Sequence, residues 1–265
     1  MEINKNYNES NLETMAKMPD NFIDLTVTSP PYDGLRDYNG YSFDFENVAK
    51  ELFRVTKEGG VVVWNVNDST IDGSESLTSF KQALYFVEEC GFKLHDTMIY
   101  EKNSMSMPDK NRYYSAFEYM FVFSKGKPKT TNLIEDRKNR WAGTSSFGTR
   151  SQRQKDGSLK KNGKGMVKDF GVRFNIWRYN TGAGYSTKDD VAFEHPAIFP
   201  EKLAYDHIRS WSNENDLVYD CFMGSGTTAK ASISSNRNWI GSEISKEYCK
   251  IIEKRLEPLM NNLFT

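Results

Sequence analysis

The apolar run Phe22-Ile23-Asp24-Leu25-Thr26-Val27 leads directly into Thr28-Ser29-Pro30-Pro31-Tyr32. The run predicts a buried strand. Each proline lacks an N–H and fixes φ, so no strand continues through the pair. The chain must leave its sheet there as a stiff, extended elbow. That elbow presents the small hydroxyl of Ser29, carbonyls without a ladder partner, and the ring of Tyr32. A planar molecule with a polar edge fits such a surface, stacked on the ring with its edge on the hydroxyl and a carbonyl. A nucleobase is such a molecule. A proline-rich turn beside a core tyrosine has the same local sequence, so the surroundings must decide.

Those surroundings alternate strand and helix signals. Glu2–Tyr7 predicts a weak strand. Ser10 with Glu13 forms a capping-box pattern for a short helix ending near Pro19. Phe45, Val48, Ala49, Leu52 and Phe53 carry a helical period. Gly59-Gly60 is expected to end that helix, with Val61–Val66 as the next strand. Ser79–Cys90 predicts a second amphipathic helix. Leu94–Glu101 and Phe117–Phe123 suit an antiparallel pair, and order resumes around Phe174–Tyr179 after a long polar stretch. His195-Pro196-Ala197-Ile198-Phe199-Pro200 reads as a rigid connector into a helix over Glu201–Trp211. Strand Asp216–Asp220, a helix to about Ser234, strand Trp239–Glu243 and helix Lys246–Leu256 close the chain. Such alternation implies a parallel α/β sheet.

The 265 residues allow one large domain, or one with an insertion. The net charge of −1 conceals an asymmetry. Lys125–Arg178 holds 15 Lys and Arg against four acids, or +11, which leaves −12 for the remainder. A basic segment in an acidic body suggests a polyanion partner, or else a solvated mobile loop. Within it, Thr144–Gly165 has almost no apolar period and is expected to be loop-built and partly disordered without a partner. The expected division is 1–124, the basic insertion 125–178, and 179–265. No apolar window is long enough for a membrane span, and the start lacks a signal-peptide core. Cys90, Cys221 and Cys249 are widely spaced and odd in number, which suggests reduced thiols in a cytoplasmic protein. With His95, His195 and His207 scattered, no metal site is expected.

A second chemical signal lies near the C-terminus. The strand ending at Asp220 runs into Phe222-Met223-Gly224-Ser225-Gly226-Thr227-Thr228 and then a helix. A strand, a Gly-x-Gly turn and a helix form a recurring device for nucleotide-like cofactors. The glycines let backbone approach the ligand, and the helix start offers free N–H groups. Glu243 ends the next strand, where an acid commonly takes the two hydroxyls of a ribose. No Gly-Lys-Ser/Thr closes the turn, so it is not a phosphate-binding P-loop.

Together the two sites resemble the amino-methylating DNA methyltransferases of the β group. Thr28-Ser29-Pro30-Pro31-Tyr32 is similar to their catalytic motif, Asp220–Thr227 to their cofactor motif, and Trp239–Glu243 to their ribose-binding strand. His195–Pro200 resembles the segment over the methionine end. Catalytic motif first, basic segment in the middle and cofactor motif last is the circularly permuted β-group order.

The resemblance implies a Rossmann-like methyltransferase sheet of about seven strands, mostly parallel with one antiparallel strand near an edge. Ile3–Tyr7 would lie beside Trp239–Glu243. It implies S-adenosylmethionine held by Asp220, Phe222, Gly224, Ser225, Gly226, Thr227, Glu243, Phe199 and Pro200. It implies catalysis by Ser29, Pro30, Pro31 and Tyr32, and a target-recognition role for the insertion. Candidate DNA contacts are Arg36, Lys138, Arg140, Arg150, Arg153, Lys155, Lys160, Lys161 and Lys164. Two departures stand out: Cys221 where the family usually has Pro, and Glu9-Ser10 near its usual Gly-Asp pair.

The reaction implied is methyl transfer to the exocyclic N4 amine of cytosine, flipped out of double-stranded DNA. Adenine N6 is the alternative, since Ser29 is the form commoner among cytosine enzymes. The implied setting is a bacterial or phage-infected cell, with a cognate restriction endonuclease as one partner it allows. Monomer and homodimer are both compatible. A nicotinamide-dependent oxidoreductase is the remoter reading of Gly224-x-Gly226, and it leaves the elbow and insertion unexplained.

Overall fold

The computed structural model describes residues 1–32, 44–103, 111–145, 151–161, 165–182, 184–195, 198 and 200–261. Two compact units emerge: Met1–Asn132 with Asn175–Thr265, and Leu133–Phe174.

The first unit is built on a sheet of eight strands: β1 (Lys5–Tyr7), β2 (Ile23–Thr28), β3 (Thr56–Val66), β4 (Lys93–Lys102), β5 (Phe117–Ser124), β6 (Ile176–Tyr179), β7 (Leu217–Asp220) and β8 (Asn238–Ser242). Their order is β1-β8-β7-β2-β3-β5-β4-β6. Only β5 runs against its neighbours. β1 lies beside β8, with Lys5 opposite Ile240. β4 and β5 form the expected antiparallel pair. The eighth strand, β6, goes beyond the expected seven and moves the antiparallel strand inward from the edge.

The helices are α1 (Asn11–Ala16), α2 (Phe45–Val55), α3 (Thr78–Glu88), α4 (Glu201–Trp211), α5 (Thr227–Ile233) and α6 (Lys246–Asn261). Ser10 and Glu13 cap α1 reciprocally, as their spacing predicts. α2 ends at Val55, four residues before the glycines expected to stop it. Thr56 turns the backbone to ψ 131°, its hydroxyl donates to Leu52 O at 2.6 Å, and β3 starts there. Gly60 lies inside β3 because the chain passes too closely for a side chain. A Cβ there would meet Lys57 O at 2.8 Å and Asp24 O at 3.0 Å. α6 continues past Leu256 through Pro258.

β3 alternates Val62, Trp64 and Val66 onto the face covered by Val48 and Leu52 of α2 and Phe86 of α3. Trp64 packs edge-on against Phe86 at 5.1 Å and donates its indole N–H to Gln82. A second cluster joins Ala229 of α5, Ile252 and Leu256 of α6, Trp239 and Met223.

From β2 the chain crosses through α2 to β3, towards one edge of the sheet. From β7 it crosses through α5 to β8, towards the other. The neighbours β7 and β2 therefore flank a topological switch point, and such sheets open a crevice outside the carboxyl ends of those strands. No described helix is long and apolar enough to cross a membrane.

The second unit departs from the loop expected over Thr144–Gly165. Ser151–Arg153 pairs with Leu159–Lys161 as a hairpin. Asp156 Oδ1 accepts from the amide and hydroxyl of Ser158, and Gly157 takes φ +83°. Arg137–Lys138 pairs with Phe170–Gly171. Four of the window's cations, Lys125, Lys127, Lys129 and Arg178, belong to the first unit, and three of them serve the fold. Lys125 reaches the carbonyls of Phe53 and Thr56, Lys129 pairs with Asp24, and Arg178 pairs with Glu101.

Candidate active site

Thr28 and Asp220 end adjacent strands at the switch point. The Asp220 carboxylate accepts from Thr28 Oγ1 at 2.7 Å, Thr228 Oγ1 at 2.6 Å and the Phe222 amide at 3.0 Å. One buried side chain thus ties the elbow strand, the Gly-x-Gly turn and the start of α5 together. Burial raises its pKa while the three donors pull the other way. Asp220 was expected to hold the cofactor. Its oxygens are instead engaged beneath the loop, and it does not line the cavity above.

That cavity has a volume of about 770 Å³. Ser29, Pro31 and Tyr32 line one part of it, and Phe222, Gly224, Ser225, Thr227 and Glu243 another. The two motifs, some 190 residues apart, therefore open into a single space. Gly224 takes φ +53°, and a Cβ on it would stand 3.1 Å from His195 Nε2. His195 packs edge-on against Tyr248 at 4.2 Å, and both line the cavity. Gly226, at φ +84°, caps α5 against Ile252.

Glu243 accepts from the Gly224 amide on Oε2 and the Ser245 amide on Oε1, each at 2.8 Å. Burial pushes its carboxyl up to about 7, against the pull of those amides. A flat aromatic (Phe222), a carboxylate for vicinal hydroxyls and a side-chain-free backbone at Gly224 are the donor set an adenosine-bearing cofactor needs. The residues present fit it.

Beneath the elbow lies a polar network. Tyr32 Oη is 3.0 Å from Ser29 Oγ, donates to Glu118 Oε2 at 2.9 Å and accepts from Asn65 Nδ2 at 2.9 Å. Asn65 Nδ2 also donates to Glu118 Oε2 at 2.8 Å, and Lys102 Nζ donates to Oε1 at 3.0 Å.

A family model described as DNA methylase matches residues 23–254. The chain belongs to that family. It is 65% identical over 236 residues to the orphan methyltransferase M.BamHII of Bacillus amyloliquefaciens, with 89% of each chain covered. M.MthZI, a type II methyltransferase of Methanothermobacter thermautotrophicus, is 27% identical, with 93% of this chain and 74% of that one covered. The cytosine-N4-specific PvuII DNA methyltransferase has the same fold, with a TM-score of 0.67 at 20% identity over 97% of this chain and 91% of that one. The protein is an S-adenosylmethionine-dependent DNA methyltransferase of the N4/N6 amino class.

In this methylase Cys221 is buried, its thiol donates to Thr28 Oγ1 at 3.6 Å, and burial lifts its pKa far above the ordinary thiol range. A thiol in that state is a packing group, not a nucleophile. Pro30 is buried at the elbow, and Pro200 forms the N-cap of α4. Glu9 and Ser10 line the cavity, and the Glu9 carboxylate accepts from Thr14 Oγ1 at 3.0 Å and pairs with Lys17. Lys138, Arg140, Arg153, Lys155 and Lys160 are exposed on the second unit. Arg36, Arg150, Lys164 and Phe199 lie outside the described residues, as does the side chain of Lys161.

Sequence motifs gave no notice of Asn65, Lys102 or Glu118. The available signal was Glu118 near the start of the otherwise largely apolar strand Phe117–Ser124. Arg255 was missed too. It is fully buried, donates to Ser225 O at 2.6 Å and Ser225 Oγ at 3.0 Å, and forks to Glu201 and Asp189. Lys230 joins the same two carboxylates. Burial raises the Asp189 pKa, but the Lys230 and Arg255 cations outweigh it and hold the carboxyl low.

Proposed function

We infer that this methylase modifies the exocyclic N4 amine of cytosine in double-stranded DNA, at a specific site, with the base flipped out of the duplex. The observation that carries the reading is Ser29. The elbow residue before the two prolines carries a hydroxyl and not a carboxylate, and it shares one cavity with Gly224 and Glu243.

The amine of a nucleobase is a poor nucleophile because its lone pair is delocalised into the ring. Ser29 Oγ and the Pro30 carbonyl accept its two hydrogens, which concentrates electron density on nitrogen and turns the lone pair out of the ring plane. Tyr32 supplies the stacking surface. S-adenosylmethionine, when bound, brings a methyl group already activated on sulfonium. Phe222, Gly224, Ser225 and Glu243 hold it, so the protein contributes mainly placement and electrostatics.

The Leu133–Phe174 unit is the target-recognition element in this reading. Its exposed cations suit phosphates. Trp141, 62% exposed and 5.3 Å from the Arg140 guanidinium, offers an aromatic surface among them. Since M.BamHII is named an orphan methyltransferase, we read this enzyme too as acting without a dedicated endonuclease.

The deciding experiment is expression in a host lacking other amino methylation, digestion of its DNA to nucleosides, and mass spectrometry. N4-methyl-2′-deoxycytidine is the expected product. N6-methyl-2′-deoxyadenosine in its place overturns the choice of base.

A further inference from the structure

The Tyr32 hydroxyl stands between Ser29 and a carboxylate–ammonium pair contributed by β5 and β4. We propose that Glu118, held by Lys102, is a positioning residue that acts through Tyr32 to make Ser29 Oγ a hydrogen-bond acceptor towards the target amine. This rests on the reading of Ser29 given above.

A serine hydroxyl has one hydrogen and two lone pairs, so it can meet a ligand as donor or acceptor. An amine that presents hydrogens is repelled by the first and polarised by the second. A carboxylate at position 29 would accept in every rotamer. A hydroxyl accepts dependably only if something else takes its hydrogen.

The contact between Tyr32 and Glu118 directs where that hydrogen goes. Tyr32 Oη also has a single hydrogen. It faces Glu118 Oε2 at 2.9 Å, Ser29 Oγ at 3.0 Å and, more distantly, Asn65 O at 3.4 Å. A carboxylate paired with an ammonium accepts only, and it is a stronger acceptor than a neutral oxygen. The Tyr32 hydrogen therefore goes to Glu118. Asn65 Nδ2, a pure donor, takes one lone pair of Tyr32 Oη. With its single hydrogen on Glu118, Tyr32 Oη meets Ser29 as an acceptor, and the 3.0 Å contact is made by Ser29's own hydrogen. Ser29 Oγ then meets the cavity it lines with lone pairs and not with its hydrogen. Glu118 thus supplies, from 86 residues beyond Tyr32, the hydrogen-bond polarity that a carboxylate at position 29 would have supplied directly.

Tyr32→Phe keeps the ring and removes the hydroxyl. Glu118→Gln lets an amide donate to Tyr32 Oη and reverses the line. Glu118→Gln with Lys102→Met does so without an unpaired ammonium, in case the single variant folds poorly. Each is compared with wild type in single-turnover methyl transfer at saturating enzyme and S-adenosylmethionine. Calorimetric affinities for cofactor and DNA are measured alongside, together with the carbon-13 resonance of Tyr32 Cζ in tyrosine-labelled protein, identified by its loss in Tyr32→Phe. The expected result is a rate loss of about 10- to 100-fold in all three variants, the effect of losing a hydrogen bond to a charged group. Both affinities stay near wild type, and the Tyr32 resonance moves in the Glu118 variants without any substrate present. A wild-type rate in Tyr32→Phe, an unmoved resonance, or a rate loss matched by lost cofactor affinity overturns the proposal. Ser29→Ala separates the two readings. An undiminished rate there removes Ser29 as the amine acceptor, while the resonance still reports on the Glu118–Tyr32 bond.

Discussion

Thr28 donates its hydroxyl to Asp220 across 2.7 Å, and this contact joins the strand that leads into the Ser29–Tyr32 elbow to the strand that leads into the Gly224–Gly226 turn. Asp220→Ala would leave two hydroxyls and the Phe222 amide without their acceptor in a fully buried setting. The expected cost is about 3 kcal/mol or more, since each buried polar group left unpaired costs roughly 1–3 kcal/mol. Asp220→Asn keeps one acceptor oxygen and should cost about 1 kcal/mol. Urea unfolding midpoints check both values. Because the contact couples the two sites, Asp220→Ala should weaken S-adenosylmethionine binding and slow methyl transfer together. Loss of one without the other would show the motifs to be independent.

Arg255 makes the corresponding contact on the far side of the cofactor loop. Its side chain is fully buried, it holds Ser225, and it neutralises Asp189 and Glu201 with Lys230. Arg255→Met keeps the stem but leaves one cation for two carboxylates, at an expected cost of about 3–5 kcal/mol for breaking a buried pair. Arg255→Lys restores charge without the fork and should recover only part of that. Thermal unfolding orders the three proteins. Cofactor affinity should fall in the same order, because Ser225 lines the cavity.

What could be read from the sequence was what is local along the chain. The Pro-Pro pair after Val27, the Gly224-x-Gly226 turn and Glu243 beyond it each carry their geometry in a few neighbouring residues. Helix α4 shows its boundaries in the sequence because Pro200 starts it and its apolar face is periodic. Partnerships across the sheet were not legible. Glu118 meets Tyr32 only because β5 reverses beside β3, and Arg255 reaches Ser225 only because α6 folds back onto the loop. Asp220 was assigned to the cofactor through the resemblance of Asp220–Thr227 to a cofactor motif, and nothing nearby in the sequence announces Thr28 as its partner. The Ser151–Lys161 hairpin lay behind a run of charges, with Asp156-Gly157 as the one turn signal inside it.

Glu243 gives the cofactor site a pH dependence with a definite sign. Burial lifts its folded-state pKa to about 7, above its ordinary value of 4.5. The protonated form is therefore the one the fold prefers. Its contribution to stability is present below the unfolded value and is lost as pH rises through about 7. Ribose binding asks for the opposite state, because an ionised carboxylate accepts from both hydroxyls. S-adenosylmethionine affinity should rise by up to about tenfold per pH unit towards 7 and level off above it. Glu243→Gln should bind more weakly and lose that slope. Titration calorimetry across this range checks it, and parallel curves for the two proteins would exclude Glu243 as the titrating ligand.

The last prediction concerns the Leu133–Phe174 unit. Arg140, Arg153 and Lys160 are exposed on it, and none of the described residues lining the cavity belongs to it. If these cations meet phosphates, each contact releases a counterion and steepens the fall of DNA affinity with salt. Replacing all three with Ala should lower the slope of log K against log salt by about 2–3, since each lost phosphate contact removes about one. The loss should be nearly uniform across DNA sequences, whereas Trp141→Ala should affect cognate DNA more than random DNA if its ring meets a base. Cofactor affinity and thermal midpoint should stay at wild-type values in both variants. Fluorescence anisotropy at several salt concentrations, on cognate and scrambled duplexes, provides the measurement. An unchanged slope in the triple variant would place the DNA-binding surface elsewhere on the enzyme.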